Sequence, residues 1–174
     1  QTCICDKIEE SERIAMSTSS RTPLVAGNWK MNKHIADAVT LASGLKDLIT
    51  DVDSVEVVVC PVATALSSVS QAVSGSNVAV GGQNCYVKES GAYTGELSPQ
   101  MLQDAGCTWT ILGHSERREY FGESDAFLNE KLHFALKAGL KVMFCIGETL
   151  EQRESGEMNA VLGRQISEGL KGLS

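Results

Sequence analysis

From Leu24 onward, short runs rich in β-branched residues alternate with segments of helical spacing. The runs are Leu24–Gly27, Val55–Cys60, Asn77–Gly81, Trp109–Leu112 and Lys141–Ile146. Between the first two, Ile35, Val39, Ala42, Leu45 and Ile49 recur every three or four residues and predict one apolar helix stripe. A later helix is predicted to start at Ser98-Pro99, an N-cap followed by proline at the first helical position, and to stop at Gly106. Phe127, Leu128, Lys131, Leu132, Ala135 and Leu136 mark another, closed by Gly139. The last runs from about Met158 to Leu170 on Val161, Leu162 and Ile166, weakened by Gly163 and Gly169.

Strands such as Val57-Val58-Val59 are apolar at consecutive positions, as a sheet covered on both faces requires. With helices between them they predict an α/β fold on a parallel sheet, of about five βα units. Two architectures fit this pattern, a doubly wound sheet and part of a (β/α)8 barrel. No GxGxxG or GxxxxGK loop follows any strand, which disfavours nucleotide binding.

Polar chemistry gathers at the strand ends. Trp109–Leu112 hands over to Gly113-His114-Ser115-Glu116-Arg117-Arg118, and the carboxyl end of a strand is where α/β sheets place active sites. Ser115 and Glu116 open a short helical turn. A helix N-terminus disfavours an imidazolium, so His114 is suited to remain neutral and donate a hydrogen bond. The first strand ends in Asn28-Trp29-Lys30-Met31-Asn32, where a lysine and two amides can hold an anion or polarise a carbonyl. A long polar loop, Gln83 to Glu96, follows the third strand, and loops of that length usually bind or cover something. Gly113-His114-Ser115 also has the opening of a G-x-S-x-G nucleophile elbow, but Arg117 occupies the final glycine position and no HGGG-type oxyanion loop precedes it. His34 and His133 fall inside helical segments and read as structural.

Composition narrows the partners. Fifteen basic against 22 acidic residues give a formal −7, with no basic stripe, so nucleic acid is not expected. No apolar run approaches the roughly 18 residues of a membrane span. The six cysteines form no CxxC pair and no His/Cys ligand cluster, so no metal is expected. Cysteines within apolar runs read as buried thiols, which fits a reducing compartment. Residues 1–22 lack the apolar core of a signal peptide and are expected to form a disordered N-terminal extension. Met16 before Ser17-Thr18-Ser19-Ser20 reads as a start, making residues 1–15 upstream or vector-derived sequence.

Four segments taken together, AGNWKMN at 26–32, GAYTGE at 91–96, GHSERREYFGESD at 113–125 and CIGE at 145–148, closely resemble the triosephosphate isomerase family. The resemblance runs from about Leu24 to the end and implies a partial TIM (β/α)8 barrel over residues 23–174. It implies interconversion of dihydroxyacetone phosphate and glyceraldehyde 3-phosphate through an enediol(ate), in glycolysis and gluconeogenesis, without cofactor or metal. The logic of a glutamate base, a neutral histidine electrophile and a closing loop belongs to the family and is carried over with the resemblance. On that likeness His114 donates to the substrate oxygens, Lys30 supplies positive charge, Asn28 contacts substrate and Glu116 holds Lys30. Ser115 and Cys145 support the site. Thr94, Glu96, Arg117 and Gln83 belong to the loop and dimer contacts of a homodimeric, cytoplasmic enzyme, an organelle remaining open.

The family's base lies in a segment of form A-Y-E-P-x-W, which residues 1–174 do not contain. A complete barrel runs to about 250 residues. The expectation is a fragment that is inactive alone, since a general base contributes about 10²–10⁴-fold, and prone to aggregate through open sheet edges. The alternative is a shortened, non-catalytic paralogue acting as a binding or structural module.

Overall fold

The computed structural model describes residues 21–173. Five strands, β1 (Leu24–Asn28), β2 (Glu56–Cys60), β3 (Val78–Gly82), β4 (Trp109–Leu112) and β5 (Lys141–Phe144), alternate with seven α-helices among the described residues. These are α1 (Ile35–Leu48), α2 (Leu66–Ala72), α3 (Pro99–Asp104), α4 (Ser115–Phe121), α5 (Asp125–Lys137), α6 (Leu150–Glu154) and α7 (Met158–Gly169). Every predicted strand is present, Trp109–Leu112 with the same bounds and the others with ends shifted by at most two residues.

All four strand pairs are parallel, and the strands lie in the order β1-β2-β3-β4-β5. This resolves what the pattern left open. A doubly wound sheet must reverse its strand order at a switch point. Sequential order with right-handed crossovers keeps every helix on one face and curls the sheet into an arc of barrel. The two faces divide the valine run accordingly. Val59, Val80 and Leu112 pack with Ala38, Ala42, Val69, Leu102 and Leu132 in the layer under the helices. Val58, Cys60 and Ile111 face the other way, with Ala79, Trp109, Met143 and Cys145. As outer strands of the arc, β1 and β5 are less covered than the centre: Val25 is 58% exposed.

Local signals hold at most boundaries. Ser98 accepts from the Met101 N–H at 3.2 Å, and Pro99 follows it. Ser124 caps α5 by accepting from the Phe127 N–H at 3.2 Å. The α1 stripe holds at Ala42, which is fully buried, and at Leu45 and Ile49, which pack against the core, but its first turn needs correction: Ala38 is fully buried while Ile35 is 48% exposed. Two alanines let α1 approach closely, and at Val39 bulk hydrophobicity pointed one residue past Ala38. The N-terminal extension expected over residues 1–22 lies, through residue 20, outside the described residues.

Candidate active site at the carboxyl ends of the strands

At the exit of β1, Lys30 adopts a left-handed backbone with φ 52°. A non-glycine residue there costs about 1–3 kcal/mol and persists only where its surroundings impose it. The surroundings are specific: the Lys30 N–H donates to Asn28 Oδ1 at 2.9 Å, and the Lys30 carbonyl accepts from Gln83 Nε2 at 2.8 Å. Gln83 Nε2 also donates to the Cys60 carbonyl at 2.9 Å, so one carboxamide joins the exits of β1, β2 and β3.

At the exit of β4 the chain turns through Gly113, φ 76°. A Cβ there would stand 2.8 Å from the Cys145 carbonyl oxygen, so only glycine fits. His114 is the N-cap of α4, its Nδ1 accepting from the Glu116 N–H at 3.3 Å. Nδ1 also lies 3.5 Å from Glu116 Oε2, which reads as an ion pair if the ring is charged. One nitrogen does not accept and donate at once. The backbone N–H has a fixed direction, so we assign Nδ1 as acceptor, leaving the proton on Nε2.

Glu116 Oε1 accepts from Lys30 Nζ at 2.7 Å, joining residues 86 positions apart. The lysine's hydrogen bond holds the Glu116 carboxyl below the usual range, so it is ionised at neutral pH. Asn28, Lys30, Gln83, Glu96, His114, Glu116 and Arg117 line a single cleft of about 390 Å³, together with Met31, Asn84 and Phe121. A neutral imidazole N–H, an ammonium and amides around one concavity can bind an oxygen-rich anion and stabilise negative charge developing on it.

The other expected site residues sit differently. Thr94 is exposed in the long loop and does not line the cleft, and Ser115 is exposed on α4. Cys145 is half-buried past β5, and burial pushes its thiol up against the opposing pull of Arg118. Cys60, Cys85 and Cys107 are buried, and burial pushes the Cys60 and Cys107 thiols up to about 12. Arg117 is engaged within the chain, its Nε 2.7 Å from Glu123 Oε1 and its guanidinium 4.6 Å over the Phe121 ring.

That contact opens onto a buried network the sequence reading missed. Lys131 Nζ lies 2.5 Å from Glu123 Oε1 and 2.8 Å from Asn84 Oδ1, behind the cleft wall. A lysine within an otherwise apolar stripe was the available signal. Arg118, also unassigned, donates from Nε to the Gly113 carbonyl at 2.9 Å and from Nη2 to the Cys145 carbonyl at 3.2 Å. It thereby ties the exits of β4 and β5 together.

The fold and rim define an α/β protein of the (β/α) barrel class, with a polar site at the carboxyl ends of its strands. The family model described as triosephosphate isomerase matches residues 23–174. Triosephosphate isomerase of Trichlorobacter lovleyi is 51% identical over 150 residues, covering 86% of this chain and 60% of that relative. The Fusobacterium nucleatum enzyme is 52% identical over 154 residues, covering 88% and 61%. The crystal structure of triosephosphate isomerase from Bartonella henselae superposes with a TM-score of 0.83 at 39% identity, covering 88% of this chain and 63% of that one. This chain belongs to the triosephosphate isomerase family, and it spans about 60% of the length of these curated relatives.

Proposed function

We propose that the cleft is the polarising half of a triosephosphate isomerase site. The observation that carries the reading is the meeting of Lys30 and His114, from the exits of β1 and β4, at the one carboxylate of Glu116. In this reading the substrate carbonyl and hydroxyl oxygens face His114 Nε2. When a base removes the proton from the adjacent carbon, charge moves onto those oxygens, and a donor already aimed there lowers the barrier without reorganising. Lys30 adds positive charge toward the enediolate and the phosphate. Its ammonium is held by ionised Glu116, and its backbone by Asn28 and Gln83. With Asn28 Oδ1 engaged by the Lys30 N–H, Nδ2 is the group that contacts substrate.

The proton-abstracting glutamate is assigned to the family's A-Y-E-P-x-W segment, which residues 1–174 do not contain. The 174 residues alone are therefore expected to show no turnover of glyceraldehyde 3-phosphate. The complete enzyme is read as a cytoplasmic homodimer. Exposed Met31, at 93%, with Tyr93, Tyr120 and Phe121 offers apolar surface for a second subunit, and Glu96 and Arg117 line the same cleft as Met31 and Phe121; Thr94 is assigned to this contact by the family likeness. No described helix is long and apolar enough to cross a membrane.

The test is an NMR titration with a hydroxamate mimic of the enediolate. The resonances of His114 and Lys30 are expected to move together and saturate, and Lys30→Met to weaken the binding at least about tenfold, the scale of one charge-assisted contact. Saturable shifts that spare both residues would overturn the assignment.

A further inference from the structure

Gln165 lies in the buried face of α7 between Val161 and Gly169, and is only 5% exposed. Its carboxamide pairs with both sides of one backbone residue. The Gly147 N–H donates to Gln165 Oε1 at 2.8 Å, and Gln165 Nε2 donates to the Gly147 carbonyl at 3.0 Å. One side chain thus does for Gly147 what a neighbouring strand does for a ladder residue. Gly147 stands just past β5, two residues after Cys145, in the segment that abuts the β4 exit. There the Cys145 N–H donates to the Leu112 carbonyl at 2.8 Å, and Arg118 holds the Cys145 carbonyl.

The seat of α7 leaves Gln165 little freedom. A Cβ on Gly169 would stand 2.5 Å from the Phe144 ring, so the helix rests directly on β5 at that point. The end of α7 and the turn after it are gripped from α5: Asn129 Nδ2 donates to the carbonyls of Gly169 and Lys171 at 3.0 and 2.9 Å, and His133 Nε2 is 2.8 Å from the Lys171 carbonyl.

We infer that Gln165 is a positioning residue that fixes the Cys145–Glu148 segment of the active-site rim from outside the cleft. The consequence for catalysis rests on the proposed function; the anchoring does not, because its test uses no substrate. A side chain that merely filled space would be replaceable by methionine of similar volume with little local effect. The experiment compares Gln165→Met and Gln165→Glu with the parent protein by amide exchange at Gly147, iodoacetamide labelling of Cys145 and urea unfolding.

In Gln165→Met, Gly147 is expected to exchange about tenfold faster relative to the amides of β2, the scale of one neutral hydrogen bond. Cys145 is expected to label faster while buried Cys60 does not. Gln165→Glu keeps an acceptor for the Gly147 N–H and loses the donor to its carbonyl. That variant should protect the amide better than Gln165→Met and still speed Cys145 labelling, and it carries the test if the methionine variant does not fold. Gly147 exchange that changes only in step with β2, or Cys145 labelling unchanged in Gln165→Glu, overturns the inference.

Discussion

Replacing Glu123 by glutamine should destabilise the molecule more than any single loss in the cleft. The Glu123 and Lys131 side chains are 4% and 1% exposed, and Glu123 Oε1 accepts from both Lys131 Nζ and Arg117 Nε. Oε2 is buried without a partner. An amide there removes the anion that pairs with both cations, and its NH2 group either faces them or takes the place of the unpartnered oxygen. Lys131 then keeps only Asn84, a neutral carbonyl and the Phe127 ring 5.1 Å away. Breaking a buried pair from one side costs about 3–5 kcal/mol, a large share of the roughly 5–15 kcal/mol that holds a domain. At about 2–4 °C per kcal/mol for a domain of this size, the midpoint should fall by about 6–20 °C.

Lys131→Met should cost less, because Arg117 remains on the carboxylate and the methionine fills the aliphatic stem of the lysine. The two losses share one bond, so the double variant should be milder than the sum by at least about 1 kcal/mol. Urea unfolding followed by ellipticity measures all four corners of the cycle. Additivity within about 0.5 kcal/mol, or a Glu123→Gln cost below about 1 kcal/mol, the typical cost of any point substitution, would refute the view that these charges depend on one another.

Two further outcomes follow from the strand ends. Glu56 Oε1 accepts from Lys141 Nζ at 2.7 Å and Trp109 Nε1 at 3.1 Å, and the lysine bond is the main cause holding the Glu56 carboxyl below its ordinary value. With the folded value depressed, the contribution is full above the unfolded value of about 4.3 and fades as pH falls through the folded one. Stability against pH should therefore slope less steeply below about pH 4.3 in Lys141→Met, by at most about 1 kcal/mol for so exposed a pair; equal slopes would remove the clamp. Gly113→Ala should cost at least about 2 kcal/mol, since it adds a Cβ collision with the Cys145 carbonyl to left-handed strain. Gly122→Ala, with φ 65° but open space, should cost only about 1 kcal/mol, and equal losses in thermal melts would sink the steric argument.

Features resting on neighbouring residues were legible before any coordinates. The five strands, the Ser98-Pro99 cap and the turn opening at His114 are local chemistry written in adjacent letters. The capping box at Thr149 and Gln152, which starts α6, was equally local and was overlooked. Strand order was illegible because the same alternation serves a sheet that reverses and one that does not. Lys131 lay in plain view within its stripe, but its burial depends on Glu123, Asn84 and Arg117, which three other segments bring to it. The left-handed turn at Lys30 was only half legible, since Asn28, which accepts from its N–H, is two residues away but Gln83, which donates to its carbonyl, is 53 positions away. Likeness to a family supplied roles for the rim, and no reading of spacing could have done so.

The curvature of the sheet makes the site possible at all. Strands β1 and β4 are three steps apart in the sheet, which on a flat surface separates their backbones by about 14 Å. A lysine and a glutamate reaching toward each other barely span that gap with both side chains fully extended, leaving no atom free for a ligand between them. The 2.7 Å contact between Lys30 and Glu116, two residues past β1 and four past β4, is consistent with an arc that draws the strand exits inward. Gln83 sits on β3's side of that arc and holds the exits of β1 and β2, while Arg118 holds those of β4 and β5. These two residues contribute little to the cleft's charge pattern but keep its rim curved. A flatter arc would widen the gap that Lys30 and Glu116 now close.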